Sequence, residues 1–360
     1  MPHASGYFRT RYSEDTRLFD TRFQRAACVI FGCALLALPW VANAFVLDLA
    51  NQTLLAVVGA VALMLLTGFA GQISLGHAGL MAAGAFCTGI LVKEVGASIW
   101  LTLPASAATG ALLGVIFGLP SLRLRGLYLA VSTLALHFIV IYLGHEYETR
   151  RGFSTGIVID PPRLFGWELV DGRAWYVVFL IAAAATILIA LNWLRARTGR
   201  AWRALHGREA VAEALGIDVP RYKLLAFVAS STITAMLGCL FAYYRGFVSG
   251  EAFSLFLSIQ YVAMVIIGGI GSIAGAVMGA VFVTLFPYGI EWLVGMVSEA
   301  LPQMRGLQNA VFAINYAAFG LVMILFLIFE PQGLAGIWRR VQAYFLMWPF
   351  KQKPLAGVDQ

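Results

Sequence analysis

Charge is what this sequence has least of: Asp, Glu, Lys and Arg make up 12% of its 360 residues, against roughly 25% in an average soluble domain. Hydrophobic residues make up 60%, more apolar surface than one globular core can hide. Cysteine is scarce too. Cys28, Cys33, Cys87 and Cys239 all sit in apolar runs without metal-ligand spacing, so they read as small hydrophobes inside helices. No G-x-x-x-x-G-K-[ST] phosphate loop, H-E-x-x-H zinc motif or G-x-S-x-G nucleophile motif occurs. The chain therefore offers no reaction centre of its own, and no cofactor is expected. The net charge of +7 is not gathered into a basic face with interleaved aromatics, which argues against nucleic acid as a partner. Carboxylates are nearly missing from the apolar runs: Asp48, Glu291 and Glu330 fall near the expected run ends. A proton- or sodium-coupled carrier keeps buried carboxylates as its relay, so their scarcity points to energy arriving from another subunit.

What is present is a series of apolar segments, at about 26–47, 53–70, 73–92, 99–119, 127–144, 174–194, 223–244, 255–270, 273–290 and 309–329. A bilayer-spanning helix needs about 20 such residues. The expected fold is an all-α polytopic membrane protein with about ten transmembrane or broken helices, in contact with lipid. Ala42-Asn43-Ala44 imitates a signal-peptidase site, but the acidic residues ahead of it and the length of 26–47 favour a retained first span. The stretch 195–223 carries seven bases against three acids, whereas 145–173 carries four against five. Basic loops stay in the cytoplasm. This places 195–223 inside, 145–173 outside, and both tails (1–25 and 336–360) in the cytoplasm around a membrane domain at 26–335.

An even number of crossings follows, and it requires 255–290 to be two short helices joined at Gly268-Gly269-Ile270-Gly271-Ser272. A similar pair is joined at Gly68 to His77, where Gln72, Ser74 and His77 cluster. Irregular backbone at membrane depth is tolerated only when buried in protein or lining water. Gln72, Ser74 and His77 therefore either line a solute path or tie the hinge to its neighbours. The glycines of the second hinge, with Ser272, serve either close helix packing or a gate. Both pairs enter from outside and return, which hints at a duplicated half.

In 199–223, Glu209-Ala210-Val211-Ala212-Glu213-Ala214-Leu215 favours a helix, with Gly216 placed to end it and Pro220 to stop continuation. Too polar to insert, it is either a headgroup helix or a docking surface for a soluble partner.

Thr67-Gly68-Phe69-Ala70-Gly71-Gln72-Ile73-Ser74-Leu75-Gly76-His77-Ala78-Gly79 resembles the signature of branched-chain amino acid ABC transporter permeases of the LivM type. So do Leu119 to Ala130, Gly199 to Ile217, and Ile266 to Ser272, which fall in family order. The resemblance covers about 30–335. It implies a pore-forming subunit that pairs with a second, homologous permease, is driven by two cytoplasmic ATP-binding subunits and is supplied by a periplasmic solute-binding protein. It places the chain in the bacterial inner membrane and makes Glu209, Ala210, Glu213, Ala214 and Gly216 the ATPase-coupling segment. Gln72, Ser74, His77, Gly268, Gly269, Gly271 and Ser272 become candidates for the translocation path or gate. The implied solutes are leucine-like amino acids, urea, short amides or aromatic acids. A self-sufficient secondary carrier is the alternative.

Overall fold

The computed structural model describes residues 22–347 apart from 123, 125, 154, 155, 165 and 301–309. The outer parts of both tails, Arg123, Arg125 and part of the 150–156 loop therefore lie outside the described residues. Within them the chain is helical: α1 Arg22–Val41, α2 Ala44–Leu63, α3 His77–Val95, α4 Ile99–Ser121, α5 Leu127–Arg151 and α6 Gly172–Arg195. They are followed by α7 Arg197–Gly207, α8 Glu209–Ala214, α9 Val219–Arg245, α10 Leu255–Gly268, α11 Ile273–Ala300, α12 Val311–Phe329 and α13 Gly333–Met347. Nine helices among the described residues are long and apolar enough to cross a membrane.

The expected span at 26–47 is corrected. The chain breaks after Val41, and α2 begins at Ala44 rather than 53. The cause is local: Asn43 is extended, and its Oδ1 accepts a hydrogen bond from Val46 N–H at 3.0 Å, which caps a new helix. The tripeptide that imitates a cleavage site is thus a helix start, and the continuous apolar part of α1 is Val29–Val41.

The hub is α9, packed against α2, α3 and α4. The α4 seam is made by Gly110, Gly114 and Gly118 at four-residue spacing. A Cβ on Gly110 would fall 2.5 Å from the Ser231 carbonyl oxygen. On the α3 side Gly84 lies against the Ala235 carbonyl and Gly238 against the Met81 carbonyl, closer than any Cβ allows. Without a hydrophobic force between helices in lipid, such close backbone contact is what dispersion attraction needs. Helices α10 and α11 form a packed hairpin, and α2 lies against α6 and α11. Helix α12 is apolar but buries only Phe319, a face suited to lipid or another membrane chain.

The polar ends are tied by short strands. β1 Ile157–Val158 pairs antiparallel with β4 Phe247–Val248, and β2 Arg163–Leu164 pairs with β3 Trp167–Glu168. These strands belong to the loops after α5 and α9. They lie at the opposite end of α9 from α7 and α8.

Candidate functional site

The first hinge begins where α2 loosens into a π-helical turn, Met64–Phe69; such turns recur at functional sites. Gly71 then takes a φ of +70°, which L side chains adopt only with strain. Gln72 N–H donates to Leu66 O at 3.1 Å, and Thr67 Oγ1 donates to Gln72 O at 3.0 Å. Leu75 N–H donates to Thr133 Oγ1 at 2.9 Å, and Ala78 N–H to Ser258 Oγ at 3.0 Å. Three separate helices thus satisfy the irregular backbone.

His77 is completely buried. Its Nε2 lies 3.0 Å from Gly59 O and 3.1 Å from Thr234 Oγ1, and its ring meets Tyr261 edge-on at 5.1 Å. This joins α2, α3, α9 and α10 around one imidazole. Ser74 is also buried, and Gly76 N–H contacts its hydroxyl at 3.4 Å. Gln72 differs from both. It is 3% exposed, and neither its Oε1 nor its Nε2 has a hydrogen-bond partner among the described residues.

The helices flanking this hinge do not lie along one another as a hairpin. α9 packs on both, and Tyr261 of α10 fills the space beside Gly59. The second hinge is a true hairpin turn. Gly269 and Gly271 take φ values of +110° and +81°, while Gly268 and Gly275 bring their backbones into contact. Ser272 Oγ accepts from Gly275 N–H at 3.1 Å, which caps α11. The two hinges meet: Gly271 N–H points at Met64 Sδ at 3.4 Å, and Gly68 packs against Gly271. Gly333, at the start of α13, closes onto Gly268 and Gly269. The hinge candidates therefore form one contiguous junction, although they stand some 200 residues apart in the chain.

At the basic end, α7 is anchored by the buried Trp202, whose Nε1–H donates to Tyr222 O at 3.0 Å. Its last turn lies over the first hinge, where the His206 side chain covers Gly71. Helix α8 follows. It ends at Ala214, and Gly216 takes a φ of +80° with its N–H donating to Glu213 O at 2.9 Å. Pro220 does not stop a helix but opens one: it lies in the first turn of α9, capped by Asp218, where the missing N–H costs nothing.

The coupling candidates separate into two groups. Ala210, Glu213, Ala214 and Gly216 are exposed. Glu209 instead turns inward to Lys223, 2.5 Å away, whose side chain is only 4% exposed. Sequence reasoning missed Val211 and Leu215, which are 52% and 74% exposed on α8. Two large apolar side chains on a polar helix are the signal that could have found them. Beside them is a groove of about 440 Å³ lined by Arg197, Arg200, Arg221 and Asp218.

Residues 45–329 match the family of the branched-chain amino acid transport system permease component. The chain belongs to that family. It is 30% identical to the high-affinity branched-chain amino acid transport system permease protein LivM of Salmonella typhimurium, over 84% of this chain and 73% of the relative. To the LivM of Escherichia coli K12 it is 30% identical over 86% and 75%. The autoinducer 2 import system permease protein LsrC of Klebsiella pneumoniae is 31% identical over 49% of this chain and 52% of its own length. No solved structure matches. The chain is thus a LivM-like ABC transporter permease and a multi-pass protein of the inner membrane.

Proposed function

We propose that this permease forms half of the pore of an ABC importer for a small zwitterionic or polar solute, with leucine-like amino acids first among the candidates. It pairs with a second, homologous permease, receives the solute from an external binding protein and is driven by two ATP-binding subunits on the cytoplasmic side. Both termini lie on that side, with α7 and α8, when α1 (Arg22–Val41) crosses beside the nine described helices long and apolar enough to span. The solute class rests on the two LivM relatives; the LsrC relative keeps other small polar solutes in view.

One observation carries the coupling role: α8 exposes Val211 and Leu215 beside a basic groove, and the adjoining α7 rests on the first hinge. An apolar pair on an otherwise polar helix suits insertion into a groove of a soluble partner. Movement of that partner displaces α7, and α7 bears through His206 on Gly71. The first hinge bears in turn on Gly271 and the second hinge, so both broken segments shift together. Alternating access follows when the junction has two packed arrangements, one for each state of the ATPases.

The test is a cysteine at Leu215. In membranes holding the complete transporter, it should cross-link to the ATP-binding subunit with a yield that changes between nucleotide-free and ATP-bound states. Equal yield in both states removes the coupling role, and cross-linking to lipid alone makes α8 a headgroup helix.

A further inference from the structure

At the opposite end of α9 from α7, a cavity of about 350 Å³ opens between α2, α9, α10 and α11. Its polar lining includes Arg245, Glu291, Gln52, Gln260 and Thr284. Glu291 is the surprise. The apolar run predicted to end at 290 continues as one helix through Ser298, so Glu291 lies within that helix, on an exposed position. Neither Glu291 nor Arg245 forms an ion pair among the described residues. Both side chains are exposed, so their charges stay open to a solute that reaches the cavity. The Arg245 guanidinium is steadied at 5.8 Å over the rings of both Phe241 and Tyr244, which holds a cation at the cavity's edge. Gln52 Nε2 already donates to Asp48 at 2.7 Å, leaving its carbonyl oxygen as the group it can offer a donor. Much of the rest of the wall is aliphatic or thioether, including Leu55, Met81, Leu257 and Met264, and the rings of Phe241, Tyr261 and Tyr288 complete it.

From this arrangement we infer that the cavity is a transient site for an α-amino acid with an apolar side chain. Glu291 and the Gln52 carbonyl take the ammonium, Arg245 takes the carboxylate, and the apolar wall takes the side chain. One fixed cation and one fixed anion on a single apolar pocket complement a zwitterion better than urea, an amide or a simple acid. The inference rests on the importer reading and sharpens it, by placing part of the solute selection in the permease itself.

The experiment uses Thr284→Cys in a chain whose four native cysteines are replaced by alanine, within membranes holding both permeases and the ATPases. The binding protein is left out so that solute enters only by direct contact. Labelling by a small charged methanethiosulfonate is timed with L-leucine, with leucinamide (no carboxylate) and with isocaproate (no ammonium). At about ten times its Kd, L-leucine slows labelling about tenfold, the factor expected from simple occupancy. The two analogues protect far less, and Glu291→Gln or Arg245→Gln removes the protection by leucine. Equal protection by all three compounds, or none by leucine, overturns the site. A cysteine that never labels overturns it too, because the cavity is then closed to solution. ATP-driven leucine uptake, measured in parallel with the binding protein restored, separates the two claims. Uptake without protection removes only the site; absent uptake removes the amino acid reading as well.

Discussion

Replacing Glu209 separates two roles that a docking residue and an internal strut would share. Lys223 is 4% exposed and Glu209 27% exposed, with their charged atoms 2.5 Å apart. Breaking a fully buried ion pair by removing one partner costs about 3–5 kcal/mol, because the remaining charge is left desolvated. Glu209 keeps some water, so Glu209→Gln should cost about 2 kcal/mol. That is a fall in Tm of roughly 4 °C for the purified protein in detergent, given about 2 °C per kcal/mol in larger domains. ATP-driven uptake should fall with it, since α8 is no longer held against α9. Adding Lys223→Met removes the orphaned ammonium, and the double variant should regain most of the Tm and most of the uptake. If Glu209 instead touches the ATPase directly, the double variant recovers Tm without uptake. That outcome, or additive losses in the two single variants, would refute the strut.

Other substitutions probe the rest of the junction. Gln72→Leu removes a buried amide with no hydrogen-bond partner among the described residues, so stability should hold or rise by about 1 kcal/mol, read as an equal or higher Tm, while uptake falls; a lower Tm shows that the amide is satisfied in the folded protein. His77→Ala deletes the group that joins four helices and should cost about 1–3 kcal/mol, read as a lower Tm and poorer assembly. Normal assembly with slowed uptake would instead put His77 on the solute path. Gly216→Val forces a β-branched residue to a φ of +80° and should cost about 1–2 kcal/mol. It should lower uptake and leave membrane insertion intact, checked by proteolysis of spheroplasts. Gly84→Leu places a side chain against the Ala235 carbonyl and should abolish folded protein in detergent extracts; a soluble, active variant would disprove the close α3–α9 seam.

Composition and run length were enough to read the helical membrane architecture, since lipid leaves few other ways to satisfy a backbone. The break at Asn43 was not readable in the same way. It depends on one side chain choosing to cap a helix, in a stretch whose hydropathy is continuous on both sides. The hinges could be located from their glycines, but their contact could not. Gly68 meets Gly271 because α2 packs along both α10 and α11, which is a fact of packing and not of pattern. The α8 helix was legible from its Ala and Glu content, whereas the inward turn of Glu209 needed Lys223 to be seen in its pocket. The helix after the second hinge runs past 290 through Ser298 because Trp292, Leu293 and Val294 continue its apolar character beyond Glu291. The four-residue glycine spacing of α4 stood in the sequence throughout, and its meaning became clear only once Ser231 and Ala235 lay against it.

The most direct test is solute uptake into proteoliposomes assembled from purified parts. With this chain, its partner permease, both ATP-binding subunits and the external binding protein present, L-leucine should accumulate only when ATP is supplied on the α8 side. Leaving out the ATP-binding subunits should stop accumulation. Gradient-driven accumulation by this chain alone would contradict the importer reading and make it a self-sufficient carrier.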